Sequence, residues 1–216
     1  MKTSRLLAIL TGFAVAVVLS ATVHAQVGKG IMDLNAMSEK ELSSLPNMTP
    51  AIAKAFVGKR PFASIVDANA FLLSQGLTQE QATAIYDKAF IHLNLNTATG
   101  PEILLIPRIA KRMTIEFAEY RPWKSWAQFD KEIGKYVKQN PGELDRLRMY
   151  VFIPINLNTA SDEDIMTIPG MTPKMLVEFK EYRPWKSKAQ FDKEIGKYLT
   201  QNPGELARLW RYVTIQ

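Results

Sequence analysis

The sequence predicts an all-α protein built from three tandem, compact helical units. Three observations predict it: a long internal repeat, helix-start signals that recur in register within it, and prolines that close the helices at matching places. YRPWKSWAQFDKEIGKY at 120–136 returns as YRPWKSKAQFDKEIGKY at 182–198, offset by 62 residues and differing only at Trp126 against Lys188. NLNTA occurs at 94–98 and 156–160, and NPGEL at 140–144 and 202–206. A more diverged copy precedes them. It carries LNAM at 34–37, Leu45-Pro46 in place of Ile106-Pro107 and Ile168-Pro169, and Arg60-Pro61-Phe62 in place of Arg-Pro-Trp. Self-similarity at such a period marks a repeated folding module. The units are 32–92, 93–154 and 155–216.

The elements follow in order. Capping boxes at Ser38/Glu41, Thr99/Glu102 and Ser161/Asp164 open a first helix, since Ser or Thr and the acid three residues on satisfy two free backbone donors. A second helix follows a very short turn. Thr49-Pro50 and Thr172-Pro173 are N-cap and proline pairs, and Ile109-Ala110-Lys111 is the middle counterpart. Met113, Phe117, Tyr120 and Met175, Phe179, Tyr182 have the i, i+4, i+7 spacing of a buried helix face. This helix ends before Pro61, Pro122 or Pro184, because the residue before proline is pushed out of the helical region. Ser64/Asp67, Ser125/Gln128 and Ser187/Gln190 open a third helix. Thr78/Gln81, Asn140/Glu143 and Asn202/Glu205 open a fourth, with Pro141 and Pro203 at its first position in the last two. Residues 151–155 and 212–215 are short and β-branched, which suits extended linkers or a final short strand. Units of about sixty residues are near the lower limit for a self-sufficient core, so stacking between units is expected.

Before the first unit, Lys2 and Arg5 precede an apolar run over 6–23 and a Val23-His24-Ala25 cleavage pattern. Residues 1–25 are therefore expected to be a secretory signal peptide cleaved after Ala25, with 26–31 as a linker. The expected location is periplasmic or secreted, with no membrane span left after cleavage. Without cysteine, disulfides, thiolate metal sites and cysteine nucleophiles are excluded. His92 is the one histidine beyond the leader, and its place between units points to structure rather than catalysis. The net charge of +6 falls to +4 without Lys2 and Arg5. Its excess lies in the second unit, with ten basic and seven acidic residues. This is a mild bias, not the dense basic face of a dedicated nucleic-acid binder. No metal-ligand cluster, nucleophile–base pair or nucleotide loop is visible. The expectation is a non-enzyme with no cofactor and no metal, in which Glu102, Glu143 and Glu205 serve helix starts.

The pattern LNTAS–xxE/D–xxxIPG–xTP–xxxxxFxxYRP resembles the helix-hairpin-helix family across 32–216, strongly at the first hairpin of each unit and weakly at the second. The family includes exported DNA receptors and a lumenal subunit of photosystem II. The resemblance implies that each unit is a pair of helix-hairpin-helix motifs and that DNA is bound through its phosphates without sequence specificity. DNA-binding members hold a phosphate on backbone amides of a Gly-x-Gly turn, at a helix N-terminus. Here the second glycine is absent from all three turns: Asn47-Met48-Thr49, Arg108-Ile109-Ala110 and Gly170-Met171-Thr172.

Thr49 and Thr172 are good caps that close their own amides. Ala110 cannot cap, and Arg108, Lys111 and Arg112 surround it with positive charge. Arg108, Ile109, Ala110, Lys111 and Arg112 are thus the principal candidate phosphate site. Gly170, Met171, Thr172 and Lys174 form a second candidate contact. Trp123 and Trp185 of the RPWKS segments are read as filling the gap between second and third helices, because Phe62 keeps the bulk in the first unit while Ala63 drops the lysine. Trp126 is expected to mark a contact between units. The alternative to DNA is a scaffold in an extracytoplasmic protein complex, which the near-identical second and third units suit.

Overall fold

The computed structural model describes residues 27–28, 30–140, 142–201 and 203–215. Residues 1–25, expected to be a signal peptide, and Asn202, expected to be a helix cap, lie outside them. The chain is mostly helical, and one order of elements recurs three times. In the first repeat β1 (Met32–Asp33) leads to α1 (Glu39–Ser43), α2 (Pro50–Lys59), α3 (Ile65–Ser74), α4 (Gln79–Tyr86) and β2 (Ala89–Phe90). In the second, β3 (Leu93–Asn94) leads to α5 (Gly100–Ile103), α6 (Met113–Glu119), α7 (Trp126–Val137), α8 (Glu143–Arg148) and β4 (Val151–Phe152). In the third, β5 (Ile155–Asn156) leads to α9 (Asp162–Met166), α10 (Pro173–Glu181), α11 (Lys188–Gly196), α12 (Pro203–Trp210) and β6 (Val213–Thr214).

The strands qualify the all-α expectation. Where linkers or a last strand were expected, the first and last strands of each repeat pair in parallel: Met32 with Ala89, Leu93 with Val151, and Ile155 with Val213. Parallel neighbours need a long crossover, and here four helices supply it. Each repeat is thereby closed on itself.

The capping signals do their work locally. Ser38, Thr78, Thr99 and Ser161 form reciprocal capping boxes. Ser125 and Ser187 cap α7 and α11, but Gln128 and Gln190 reach one residue further back and accept from Lys124 N and Lys186 N. At α8 the expectation fails. The N-cap is Gly142 at φ 89°, without a side-chain cap, rather than Asn140. Glu143 does not cap α8 either. Glu143 and Glu205 grip Arg146 and Arg208 one turn on, each pair making two hydrogen bonds of 2.5–2.8 Å.

The repeated asparagines explain the NLNTA motif. Asn94 and Asn156 fold the strand exit into an Asx turn by accepting from Asn96 N and Asn158 N. Asn96 and Asn158 then clamp a segment 27 residues away. Asn96 Oδ1 accepts from Trp123 N (2.6 Å) while its Nδ2 donates to Trp123 O (3.0 Å). Asn158 does the same to Trp185, and Asn35 to Phe62. The arginine before each proline points back at the same loop. Arg121 Nε donates to Leu95 O (2.8 Å) and Nη2 to Ala98 O, Arg183 donates to Ala160 O (2.8 Å), and Arg60 donates to the carbonyls of Leu34, Asn35 and Met37. The following Arg-Pro peptide bonds are cis in all three repeats. Trp123 and Trp185 are buried, and their indole N–H groups donate to Phe117 O and Phe179 O (2.8 Å each). The RPW segments are therefore the inner lock of each repeat rather than an exposed stacking platform.

The repeats stack in one way twice. Phe90 at the end of the first packs edge-on against Tyr150 of the second, and Phe152 of the second packs against Tyr212 of the third, with ring centroids 5.1 and 4.5 Å apart. One apolar core runs through the first and second repeats, and another holds the third together with Val27 and Phe152. The chain ahead of β1 straps this second junction. Val27 is buried, bridges to Phe152 and donates its N–H to Thr167 Oγ1 (3.2 Å). Gly28 lies so close that a Cβ there would sit 2.4 Å from Arg148 O and 2.5 Å from Met149 O. Trp126, expected between units, instead packs on Phe129 and under the Arg148 guanidinium of its own repeat.

Candidate nucleic-acid interface

The three hairpin turns share a backbone requirement. Their first residue lies in the left-handed region: Asn47 at φ 61°, Arg108 at 56° and Gly170 at 75°. Glycine and asparagine enter that region readily, and arginine does so at a steric cost. The carbonyl side of the turn is anchored from the fourth helix. Arg146 donates to Pro107 O and Arg208 to Pro169 O, at 2.7 Å each, and in the first repeat Asn47 reaches Gln81 O (3.4 Å).

The amide side separates the turns. Thr49 Oγ1 accepts from Ile52 N (3.3 Å) and Thr172 Oγ1 from Met175 N (3.2 Å), so α2 and α10 start capped on a proline. In the middle turn Ala110 offers no acceptor, and the helix starts later. The amides of Met113, Thr114 and Ile115 reach back three residues, to Ala110 O, Lys111 O and Arg112 O. Among the described residues the amides of Ala110, Lys111 and Arg112 meet no acceptor, and all three residues are exposed. Ile109 is half-buried against the core.

The cations expected around this turn are partly spoken for. Arg108 Nη1 pairs with Asp87 Oδ1 of the first repeat at 2.7 Å. Arg112 Nε pairs with Glu116 Oε1 at 2.6 Å, and its guanidinium lies 4.2 Å over the Tyr136 ring. Lys111 alone of the three has no ion pair among the described residues. The third turn is less open. A Cβ on Gly170 would meet Arg208 Nη2 at 3.3 Å and Ala36 Cβ of the first repeat at 3.7 Å. Met171 packs on the core, Thr172 is occupied as a cap, and Lys174 lies 5.9 Å over Tyr198. The structure thus brings 108–112 together as one largely exposed loop, whereas in the third turn Gly170 faces Ala36 of the first repeat and Thr172 and Lys174 stay exposed.

A second polar cluster was not anticipated. His92 and Asp33 are both buried, and Nδ1 of His92 lies 3.1 Å from Asp33 Oδ2. Tyr212, at the far end of the chain, donates its hydroxyl to the same oxygen at 2.8 Å. Arg211 donates to His92 O (3.3 Å). Burial pushes the Asp33 carboxyl up, but the His92 hydrogen bond, with help from the Arg208 charge and the Tyr212 hydroxyl, outweighs it and leaves the pKa below the ordinary aspartate value. Burial, together with the Asp33 charge, holds the Tyr212 phenol well above its usual range. The available signal was that Asp33 stands where the other repeats have Asn94 and Asn156.

Among the described residues no group of three His, Cys, Asp or Glu side chains could hold a metal ion, and no helix is long and apolar enough to cross a membrane. No family model, curated protein or solved structure matches the chain.

Proposed function

We propose that the protein is an exported, non-catalytic array of three paired helix-hairpin-helix units that binds duplex DNA through its phosphate backbone, without reading sequence. The observation that carries this reading is the uncapped middle turn, where three exposed amides stand beside Lys111. A phosphate oxygen is the acceptor such amides take, and the partial positive charge of a helix start favours it. The arginine in a left-handed conformation supports the same reading, since backbone strain of this kind gathers at working sites. With few contacts, affinity falls with salt at a log–log slope of roughly −0.9 per phosphate neutralised.

The test is fluorescence anisotropy of labelled duplex DNA at low and physiological salt. Lys111→Ala removes the free cation, and Ala110→Thr supplies the cap found in the sister repeats. Both should weaken binding while leaving the far-ultraviolet circular dichroism unchanged. Wild-type protein that fails to bind at low salt sinks the proposal.

A second reading is a scaffold for an extracytoplasmic protein complex. It is favoured by the ion pairs that occupy Arg108 and Arg112 and by exposed apolar residues repeated at matching positions, Leu104 and Ile115 in one unit and Met166 and Val177 in the next.

A further inference from the structure

Helix α3 departs from its two counterparts on the side that faces solvent. Its buried side is Ile65, Ala68 and Leu72. On the other side Val66, Ala70 and Leu73 recur at i, i+4 and i+7, with Val66 36% and Leu73 38% exposed. The polar residues of α3 are turned aside. Asn69 exchanges hydrogen bonds with Gln79 of α4, and Ser74 donates to Phe71 O. A helix that is apolar on both sides is one that is covered on both sides.

An open groove of about 720 Å³ lies on this helix. Its apolar lining includes Phe62, Ala63, Ala70 and Phe71, and its two charges are Lys59 and Asp67. The sister repeats show that the fold does not need such a surface. Ala63, Ala70 and Phe71 stand where the second repeat has Lys124, Lys131 and Glu132 and the third has Lys186, Lys193 and Glu194. Those side chains give α7 and α11 an ordinary polar outer face. Apolar side chains gathered on the outside at this one place mark a contact surface.

The charges identify the occupant. Neither Lys59 nor Asp67 forms an ion pair among the described residues. A two-fold interface sets one residue on a second residue of the other copy, and the second on the first. One cation and one anion beside a single apolar face therefore make that face complementary to itself. A surface built for a highly charged partner would instead carry an excess of one sign. Ala70, midway along the stripe, lets two such helices approach closely where they cross.

We propose that α3 is the contact face of a two-fold symmetric dimer of this chain, in which the groove of each protomer receives α3 of the other and Asp67 meets Lys59 of the partner subunit. The surface belongs to the first repeat and is separate from the middle hairpin turn, so the dimer stands whether or not DNA is bound.

The test is sedimentation velocity of the purified protein over a wide range of concentration, with the chain mass fixed by mass spectrometry. The average mass should rise from one chain to two and go no further. Ala70→Lys installs the residue that both sister repeats carry, so the far-ultraviolet circular dichroism should not change. It should weaken dimerisation by about tenfold or more, because the interface would then bury two unpaired ammonium groups. Lys59→Glu and Asp67→Lys should each weaken it, and the double variant should recover most of the loss. A protein that stays monomeric throughout overturns the proposal. So does self-association indifferent to Ala70→Lys, or a double variant no better than its single members. Flotation of a monomer with phosphatidylcholine vesicles, lost in Ala70→Lys, would put a lipid surface in place of the second copy and overturn it likewise.

Discussion

Tyr212→Phe isolates one buried contact between the first and third repeats. The hydroxyl donates to Asp33 Oδ2 at 2.8 Å between residues 179 apart in sequence, and both partners are buried. The ring packing against Phe152, with centroids 4.5 Å apart, survives the substitution. What is lost is one hydrogen bond to a buried carboxylate that still keeps His92 and the Asn35 amide. A hydrogen bond to a charged group contributes about 1.5–3 kcal/mol. For a chain of this size the midpoint of thermal unfolding should fall by about 3–12 °C. Urea titration should give a lower midpoint with an unchanged slope if the whole chain unfolds together. It should give two transitions if the third repeat now separates first. Tyr182→Phe is the control. Its hydroxyl meets Tyr198 at 3.2 Å on the surface, and its removal should shift stability by about 0.5 kcal/mol or less. Equal, small effects for both variants would refute the claim that the Asp33 node fastens the third repeat to the first.

Three further outcomes are expected. Asn96→Ala leaves the amide and carbonyl of Trp123 without their clamp and should cost about 2–5 kcal/mol in chemical denaturation, with Asn158→Ala similar in the third repeat. Because the folded pKa of Asp33 is depressed, its contribution is present above the ordinary value of 3.8 and is lost as pH falls through the lower, folded value. Acid titration of stability should therefore show a loss beginning below about pH 4 that is reduced in Asp33→Asn. Gly28→Ala forces a methyl into the backbone carbonyls of Arg148 and Met149, and should cost about 1–3 kcal/mol and raise hydrogen exchange at the Val27 amide.

Local signals and long-range ones were not equally legible in the sequence. The caps at Ser38, Thr49, Thr99 and Thr172 act within three residues, so residue type and spacing disclose them. Burial of Trp123 and Trp185 was legible because Phe62 keeps bulk without charge at the matching place. The parallel pairing of β1 with β2 was not. Two-residue strands carry no periodicity, and their partners lie some 57 residues apart. The fourth-helix arginines were hidden for a different reason. Glu143 has the spacing of a cap, but a guanidinium one turn away that is already anchored on Pro107 O offers it two charge-assisted bonds, which a backbone amide cannot match.

The candidate site divides along the same line. That Ala110 cannot cap is a property of one side chain and could be read directly. Whether Arg108 and Arg112 are available depends on Asp87 in another repeat and on Glu116 and Tyr136, which only packing brings near. Repetition sharpens this distinction. A residue shared by all three units, such as the Asn35, Asn96 and Asn158 series, is explained by the fold of one unit. A residue that breaks the repeat belongs to the joining of units or to a task. Asp33, His92, Arg108 and Ala110 are such residues. The first two meet at the junction of the first and third repeats, and the last two adjoin in the one hairpin turn left uncapped.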